Sequence, residues 1–380
     1  MKIITIVGAR PQIIKAAAFS RVLKENFPEI EEIIVHTGQH YDTNMSQVFF
    51  EELNIPQPTI NLQVGSSSHG EQTAVMIQKI ESVLLEHQPN AVVVYGDTNS
   101  TLATAVAASK IHVPIIHIEA GLRSFNKKMP EEINRIMCDH ASTLLFSPTM
   151  TGYQNLINEG FSADLHEKAS ADKPNIYHCG DVMYDNSLYF SNLSENQSTI
   201  LKDLKIDNEP FILATVHRND NTDDSIKINQ LFSTFLNIVA NHNIKIVLPL
   251  HPRTAKMMDK LLEPSLKSQV ENSTMLKVIP PASFLDIIAL EKNAQLVITD
   301  SGGVQKEAYF FKKPCIILRP QTEWVEIVAT KSAVIADTDP EKILAATKSF
   351  LMNSELSFPP VFGDGNAAKF IAEEMINQFS

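Results

Sequence analysis

The apolar positions of this chain fall in short runs, each stopped by a glycine, a histidine or an acid and each followed by a helix-length segment. Ala91 to Tyr95 is apolar throughout and halts at Gly96-Asp97-Thr98. An Ala-rich stretch, Ser100 to Lys110, follows, and then a second apolar run, Pro114 to Ile118, halts at Glu119-Ala120-Gly121. Unbroken runs of this kind suit parallel strands buried on both faces, and the stretch between them is helical by propensity. The same alternation starts with Ile3 to Val7, the helix Ile13 to Leu23 and the strand Ile33 to His36. After an amphipathic helix, Glu71 to Gln88, it continues beyond Lys110 with strands at Thr143 to Phe146 and Asn175 to His178. It restarts after the polar stretch Ser191 to Asn208 with strands at Phe211 to Thr215, Lys245 to Leu250, Leu276 to Ile279, Leu296 to Thr299 and Pro314 to Leu318. The expected fold class is therefore α/β, with two Rossmann-like, doubly wound domains facing a cleft.

Candidate chemistry collects at the carboxyl ends of those strands, the edge where open α/β sheets bind ligands. Asp97 and Glu119 end neighbouring strands, and Glu131 follows in Pro130-Glu131-Glu132, at a helix start. Three carboxylates converging on one edge suit acid/base work. The alternative makes Asp97 and Glu131 helix caps and Glu119 a loop residue. Arg10 and Lys15 lie on or beside the helix that follows Gly8-Ala9-Arg10-Pro11, an anion-binding arrangement or else two surface cations. His36 and His40 are four apart, but the intervening Thr-Gly is a turn and further ligands are lacking, so no metal site is expected.

In the second half, Leu296-Val297-Ile298-Thr299-Asp300 runs straight into Ser301-Gly302-Gly303 and the helix Val304 to Phe311. Two glycines let a ligand approach the backbone, and the helix N-terminus then faces an anion. Glu307, one turn in, would repel phosphate and is better suited to a ribose diol. The bare alternative is a tight strand-helix turn without a ligand.

Composition narrows the classes. With 380 residues the chain exceeds one ordinary core, and two domains are the expectation. A net charge of −12 argues against a general nucleic-acid or membrane-surface binder, while leaving room for a locally bound phosphate. Three widely spaced cysteines, Cys138, Cys179 and Cys315, suggest reduced thiols and a cytoplasmic setting. No apolar run is long enough to span a bilayer, and the short first run reads as a strand instead of a signal peptide.

The motifs taken together resemble the non-hydrolysing UDP-N-acetylglucosamine 2-epimerases, which have the two-domain B-type glycosyltransferase fold. The resemblance rests on Gly8-Ala9-Arg10-Pro11-Gln12-Ile13-Ile14-Lys15, Gly96-Asp97-Thr98, His117-Ile118-Glu119-Ala120-Gly121-Leu122-Arg123, Pro130-Glu131-Glu132-Ile133-Asn134-Arg135, His217-Arg218, Asp300 to Glu307 and Gly363-Asp364-Gly365, and covers essentially the whole chain. It implies UDP held by the second domain at Ser301, Gly302, Gly303, Glu307 and Arg319, with Arg10 and His217 at the diphosphate. It implies Asp97, Glu119 and Glu131 as catalytic acids, joined by His217 and Lys15, with Lys15 and Arg135 also lining the site. It implies domains at 1–180 and 181–365, a final helix at 366–380 returning to the first domain, a homodimer, and no cofactor or metal; two domains with a ligand between them should close by a hinge motion near Gly180 and again before the last helix. The reaction it implies is reversible elimination of UDP from a UDP-sugar, followed by re-addition with C2 inverted.

Three departures bear on the substrate. Gln12 replaces the usual Glu, the loop Ser124 to Met129 carries Lys127 and Lys128, and Thr322-Glu323-Trp324-Val325-Glu326 replaces Thr-Glu-Arg-Pro-Glu. Losing an acid and gaining two cations resembles relatives that epimerise UDP-2,3-diacetamido-2,3-dideoxyglucuronate, whose sugar is anionic; neutral drift of the loop is the other reading. UDP-N-acetylglucosamine is the first expectation. A glycosyltransferase of the same fold, a hydrolysing epimerase and a non-catalytic UDP-sugar binder are the rival classes.

Overall fold

The computed structural model describes residues 1–39, 55–353 and 355–379; His40, Tyr41, Asp42 and Ser380 lie outside the described residues. The chain divides into two units, one of Met1–Asn186 with Pro360–Ser380 and one of Ser187–Pro359.

The first unit is built on a sheet of β1 (Lys2–Val7), β2 (Glu31–His36), β3 (Ile60–Asn61), β4 (Ala91–Tyr95), β5 (Ile115–Ile118), β6 (Leu144–Ser147) and β7 (Asn175–His178), in the order β3-β2-β1-β4-β5-β6-β7. Every pairing is parallel. Because helices cover both faces, β4 is buried at every residue, which is why its sequence shows no alternation. Ile4, Ile6, Val92 and Val94 pack with Met76 and Ile80 of the helix His69–His87 and with Ala103 and Ala107 of the helix Asn99–Lys110. The alanines let that second helix lie close to the sheet.

The second unit repeats the scheme with β8 (Phe211–Thr215), β9 (Lys245–Pro249), β10 (Leu276–Ile279), β11 (Leu296–Thr299), β12 (Cys315–Ile317) and β13 (Ala333–Ile335), in the order β10-β9-β8-β11-β12-β13. Its core joins Ile212, Leu248 and Ile298 to Phe232 and Phe235 of the helix Ser225–His242. In each sheet the winding reverses beside the first strand, between β1 and β4 and between β8 and β11. A gap between outgoing connections opens there at the carboxyl edge, and loops at that gap can reach a ligand.

The polar stretch Ser191 to Asn208 is mostly helical, because the helix Val182–Gln197 runs well into it and a short helix, Ile200–Asp203, follows. The last helix, Ala367–Phe379, packs on the helix Arg10–Asn26 and buries Ala368, Ile371 and Met375. Phe370 meets the Tyr177 ring edge-on at 5.8 Å. The helix N-terminus is held by Asp185, whose carboxylate accepts from the Ala367 and Ala368 amides at 3.2 and 2.7 Å. Among the described residues no helix is long and apolar enough to cross a membrane.

Candidate active site

In the first unit the β1/β4 reversal brings the helix Arg10–Asn26 beside the loops that follow β4 and β5. Asp97 is not a cap: Thr98 caps the next helix, its hydroxyl accepting from the Thr101 amide. The Asp97 carboxylate instead meets Arg135, Oδ2 to Nη1 at 3.1 Å. Glu119 takes a left-handed backbone conformation, φ 75°, immediately after β5, and its side chain pairs with Lys15. Lys15 sits past the first turn of its helix and leans toward the helix N-terminus, as helical side chains do. Its ammonium is therefore engaged with Glu119. Gly96 leaves room for this contact, since a Cβ there would lie 2.8 Å from Glu119 Oε2.

The charges act on one another. Burial pushes the Asp97 carboxyl up; Arg135 and Lys15 pull it down, Glu119 and Glu131 push it further, and the net shift is upward. Burial pulls Lys15 down, but Glu119, Asp97 and Asp181 outweigh it and hold the ammonium charged. Glu131 stands exposed in the first turn of the helix Pro130–Asp139 without capping it. The neighbour that sequence reasoning passed over, Glu132, is buried and folds back to accept from the Ser124 and Phe125 amides at 2.9 and 2.8 Å, shaping the loop that carries the exposed Lys127 and Lys128.

Gln12 has no part in ligand charge. It is buried, with Oε1 accepting from the Gly8 amide at 2.8 Å and Nε2 donating to the Tyr95 carbonyl at 2.7 Å. It braces the ends of β1 and β4 against each other, which corrects the reading of Gln12 as an acid lost beside the sugar. His36 is likewise used locally, its Nδ1 accepting from the Gly38 amide at 2.9 Å.

Beneath the acids lies a buried network. His117, in β5, reaches Asp139 Oδ1 through Nδ1 at 2.6 Å and the Gly96 carbonyl through Nε2 at 2.8 Å. Asp139 Oδ2 meets Arg123 Nη1 at 2.7 Å and accepts from the Gly121 amide at 3.2 Å. Arg123 in turn makes a two-bond contact with Glu159, both bonds 2.7 Å. The signal in the sequence was a histidine and an arginine flanking Glu119; nothing in it pointed to Asp139.

In the second unit Asp300, fully buried at the end of β11, organises the loop after β8. It accepts from the amides of His217 and Arg218 at 3.1 and 3.0 Å, from Asn221 Nδ2 at 3.1 Å, and faces His217 Nδ1 at 3.0 Å. Burial pushes its pKa up, but His217 and these donors outweigh it, so the carboxyl stays ionised. His217 thereby has Nδ1 committed to Asp300, and its side chain is 45% exposed. Ser301 caps the helix Gly302–Phe310 through its hydroxyl. Gly302 lies under Glu323, which Arg319 holds at 2.8 Å; a Cβ on Gly302 would come within 2.3 Å of Glu323 Oε1. Arg319 and Glu323 thus stand over the helix N-terminus that Gly302 and Gly303 begin. Trp324 donates to the Gly302 carbonyl at 3.0 Å and lies under the Lys306 ammonium. Glu307 lies beside the buried Glu291, whose carboxyl is pushed well above the usual range by burial and by Glu307.

A family model described as UDP-N-acetylglucosamine 2-epimerase matches residues 23–376. A UDP-N-acetylglucosamine 2-epimerase homolog of Methanococcus maripaludis is 48% identical, over 99% of this chain and 100% of its own length. A UDP-2,3-diacetamido-2,3-dideoxy-D-glucuronate 2-epimerase of Pseudomonas aeruginosa is 46% identical, over 98% of this chain and 99% of its own. Among solved structures, the UDP-GlcNAc 2-epimerase of Methanocaldococcus jannaschii in complex with UDP-GlcNAc and UDP superposes with a TM-score of 0.79, at 38% identity and 99% coverage of both chains.

Proposed function

The chain belongs to the UDP-N-acetylglucosamine 2-epimerase family, and on that ground we propose that it interconverts UDP-N-acetylglucosamine and UDP-N-acetylmannosamine without releasing free sugar. The observation that carries the reading is the charge cluster after β4 and β5: two carboxylates just past the ends of adjacent strands, each matched to a cation, Asp97 to Arg135 and Glu119 to Lys15. A 2-acetamido sugar has no carbonyl beside C2, so direct loss of the C2 proton is very hard. Departure of UDP from C1 puts positive charge on the ring and makes that proton acidic enough for a carboxylate. Elimination leaves UDP and the 2-acetamidoglucal; addition of UDP back to C1, with a proton delivered to the opposite face of C2, inverts that centre. Asp97, Glu119 and Glu131 are the groups suited to exchange those protons, and the upward push on Asp97 suits a group that must alternate between acid and base. His217, Ser301, Gly302, Gly303, Glu307 and Arg319 are assigned to the nucleotide, and Arg10 to the diphosphate. Binding a diphosphate at the start of the helix Gly302–Phe310 would require Glu323 to give way to it. No nicotinamide is needed, and the protein is proposed to act as a cytoplasmic homodimer that supplies surface-polysaccharide precursors.

Incubation with each UDP-sugar in D₂O, followed by NMR, tests the proposal. Deuterium at C2 of both epimers is expected; epimers free of deuterium, or release of free N-acetylmannosamine, would sink it. A second reading, with UDP-2,3-diacetamido-2,3-dideoxyglucuronate as substrate and the same chemistry, is favoured by Lys127 and Lys128, exposed cations on the loop preceding Glu131. The 46% identity to an epimerase named for that sugar also favours it.

A further inference from the structure

We propose that His117 is a positioning residue of the acid/base site: a buried imidazolium that clamps the Gly96–Asp97 peptide with one nitrogen and, through Asp139, anchors the backbone just beyond Glu119 with the other. The inference rests on the reading of Asp97 and Glu119 as the working acids.

The protonation follows from geometry. His117 Nε2 is 2.8 Å from the Gly96 carbonyl oxygen, which can only accept, so Nε2 must carry a proton. Nδ1 is 2.6 Å from Asp139 Oδ1. Asp139 also takes Arg123 Nη1 at 2.7 Å and the Gly121 amide at 3.2 Å, both donors to its other oxygen, so it is the ionised acceptor. Both ring nitrogens therefore donate. Arg123 and Glu159 complete a chain of alternating charge, with the Cys138 thiol the remaining titratable group against the ring. Burial alone would discharge the imidazole; Cys138 and Asp139 outweigh it, in agreement with the bonding.

The consequence lies in what the two arms hold. The Gly96 carbonyl belongs to the peptide group that leads into Asp97, so its tilt sets where the Asp97 side chain starts. His117 lies two residues before Glu119, and Gly121, held by Asp139, two residues after. One ring thus ties together the two loops whose acids must straddle the same carbon, and small displacements of such groups can cost on the order of 10²-fold in rate.

Two substitutions separate the arms. In His117→Asn the amide nitrogen falls near the place of Nδ1, keeping the Asp139 contact and leaving Gly96 unpaired. In His117→Gln it falls near Nε2, keeping the Gly96 clamp. We expect His117→Asn to lose on the order of 10²-fold in kcat and His117→Gln about tenfold or less, with equal falls in melting temperature and unchanged UDP affinity in both. Equal kcat losses, or losses that follow the melting temperature, would mean that His117 only supports the fold. Nitrogen-15 NMR of the wild-type imidazole, assigned by the signal missing from either variant, should show both ring nitrogens protonated to pH 9. Loss of the Nε2 proton below that overturns the clamp. This readout needs no substrate, so it decides the inference even if the wild-type protein turns over no UDP-sugar, the outcome that would instead defeat the proposed reaction.

Discussion

Gly180 and Gly363 meet backbone to backbone. A Cβ on Gly180 would lie 3.0 Å from Gly363 Cα, and one on Gly363 would lie 2.9 Å from Gly180 Cα. Both residues are left-handed, at φ 85° and 82°, and the next amide, Asp181, donates to the Phe362 carbonyl at 3.0 Å. Where the chain leaves the first unit, it thus lies against the place where it has just returned. Alanine at either position should destabilise the unit by about 1–3 kcal/mol, through backbone strain and overlap with backbone that cannot swing aside. Urea unfolding of each single variant measures this; midpoints equal to wild type would show that the crossing yields freely.

The acids give the second expectation. Asp97→Asn, Glu119→Gln and Glu131→Gln should each lower kcat by about 10²-fold or more, as loss of a general acid or base does. UDP affinity by calorimetry should be kept, because the nucleotide is assigned to other residues. Near-normal turnover in all three would remove the acid/base assignment.

Substrate choice turns on Lys127 and Lys128. If the sugar carries a carboxylate, replacing both by Ala should lower kcat/KM for the uronate by about tenfold, the ~1.4 kcal/mol of one charged hydrogen bond, and leave UDP-N-acetylglucosamine nearly unchanged. Equal losses on both sugars would tie the lysines to UDP or to loop shape. Because Gln12 is spent on Gly8 and Tyr95, these cations are the remaining physical argument for an anionic sugar among the three departures.

Asp185 predicts a pH dependence. Burial raises its pKa from an ordinary 3.8 to about 6, with the Ala367 and Ala368 amides opposing the shift and the charge of Asp181 adding to it. The folded state therefore binds more protons than the unfolded one between those two values. The stability it contributes is present below 3.8 and is lost as pH rises through about 6. The wild type should lose about 3 kcal/mol across that window relative to Asp185→Asn, which keeps an acceptor for the helix but cannot titrate. Parallel urea midpoints for the two proteins from pH 4 to 7 would contradict this.

The strand pattern was legible wherever a run was buried on both faces. Ala91 to Tyr95, Phe211 to Thr215 and Leu296 to Thr299 stand in the structure as read. Of the four edge strands, β7 and β10 were read as they stand, but β3 has two residues and β13 three, too few to make a run distinguishable from a loop. Residues at strand ends advertised themselves because a polar group there breaks an apolar run. The residues that support them, Asp139, Glu132 and Glu291, lie inside helices, where a carboxylate is expected to face water. Their burial follows from which helix packs where, and no local pattern encodes it. Gln12 was misread for the same reason: its partners Gly8, Tyr95 and Thr101 come together only after β1 and β4 have paired.

The return of Pro360–Ser380 to the first unit fixes an order of events during synthesis. The stretch Ser187–Pro359 is continuous and can complete its own core once it has emerged from the ribosome. The first unit cannot: the face of the helix Arg10–Asn26 that receives Ile371 and Met375 waits, with its apolar residues uncovered, until the last twenty or so residues arrive. The half of the molecule made first is therefore the half finished last, and a ribosome stalled in the second half leaves an open first unit for chaperones or proteases to find.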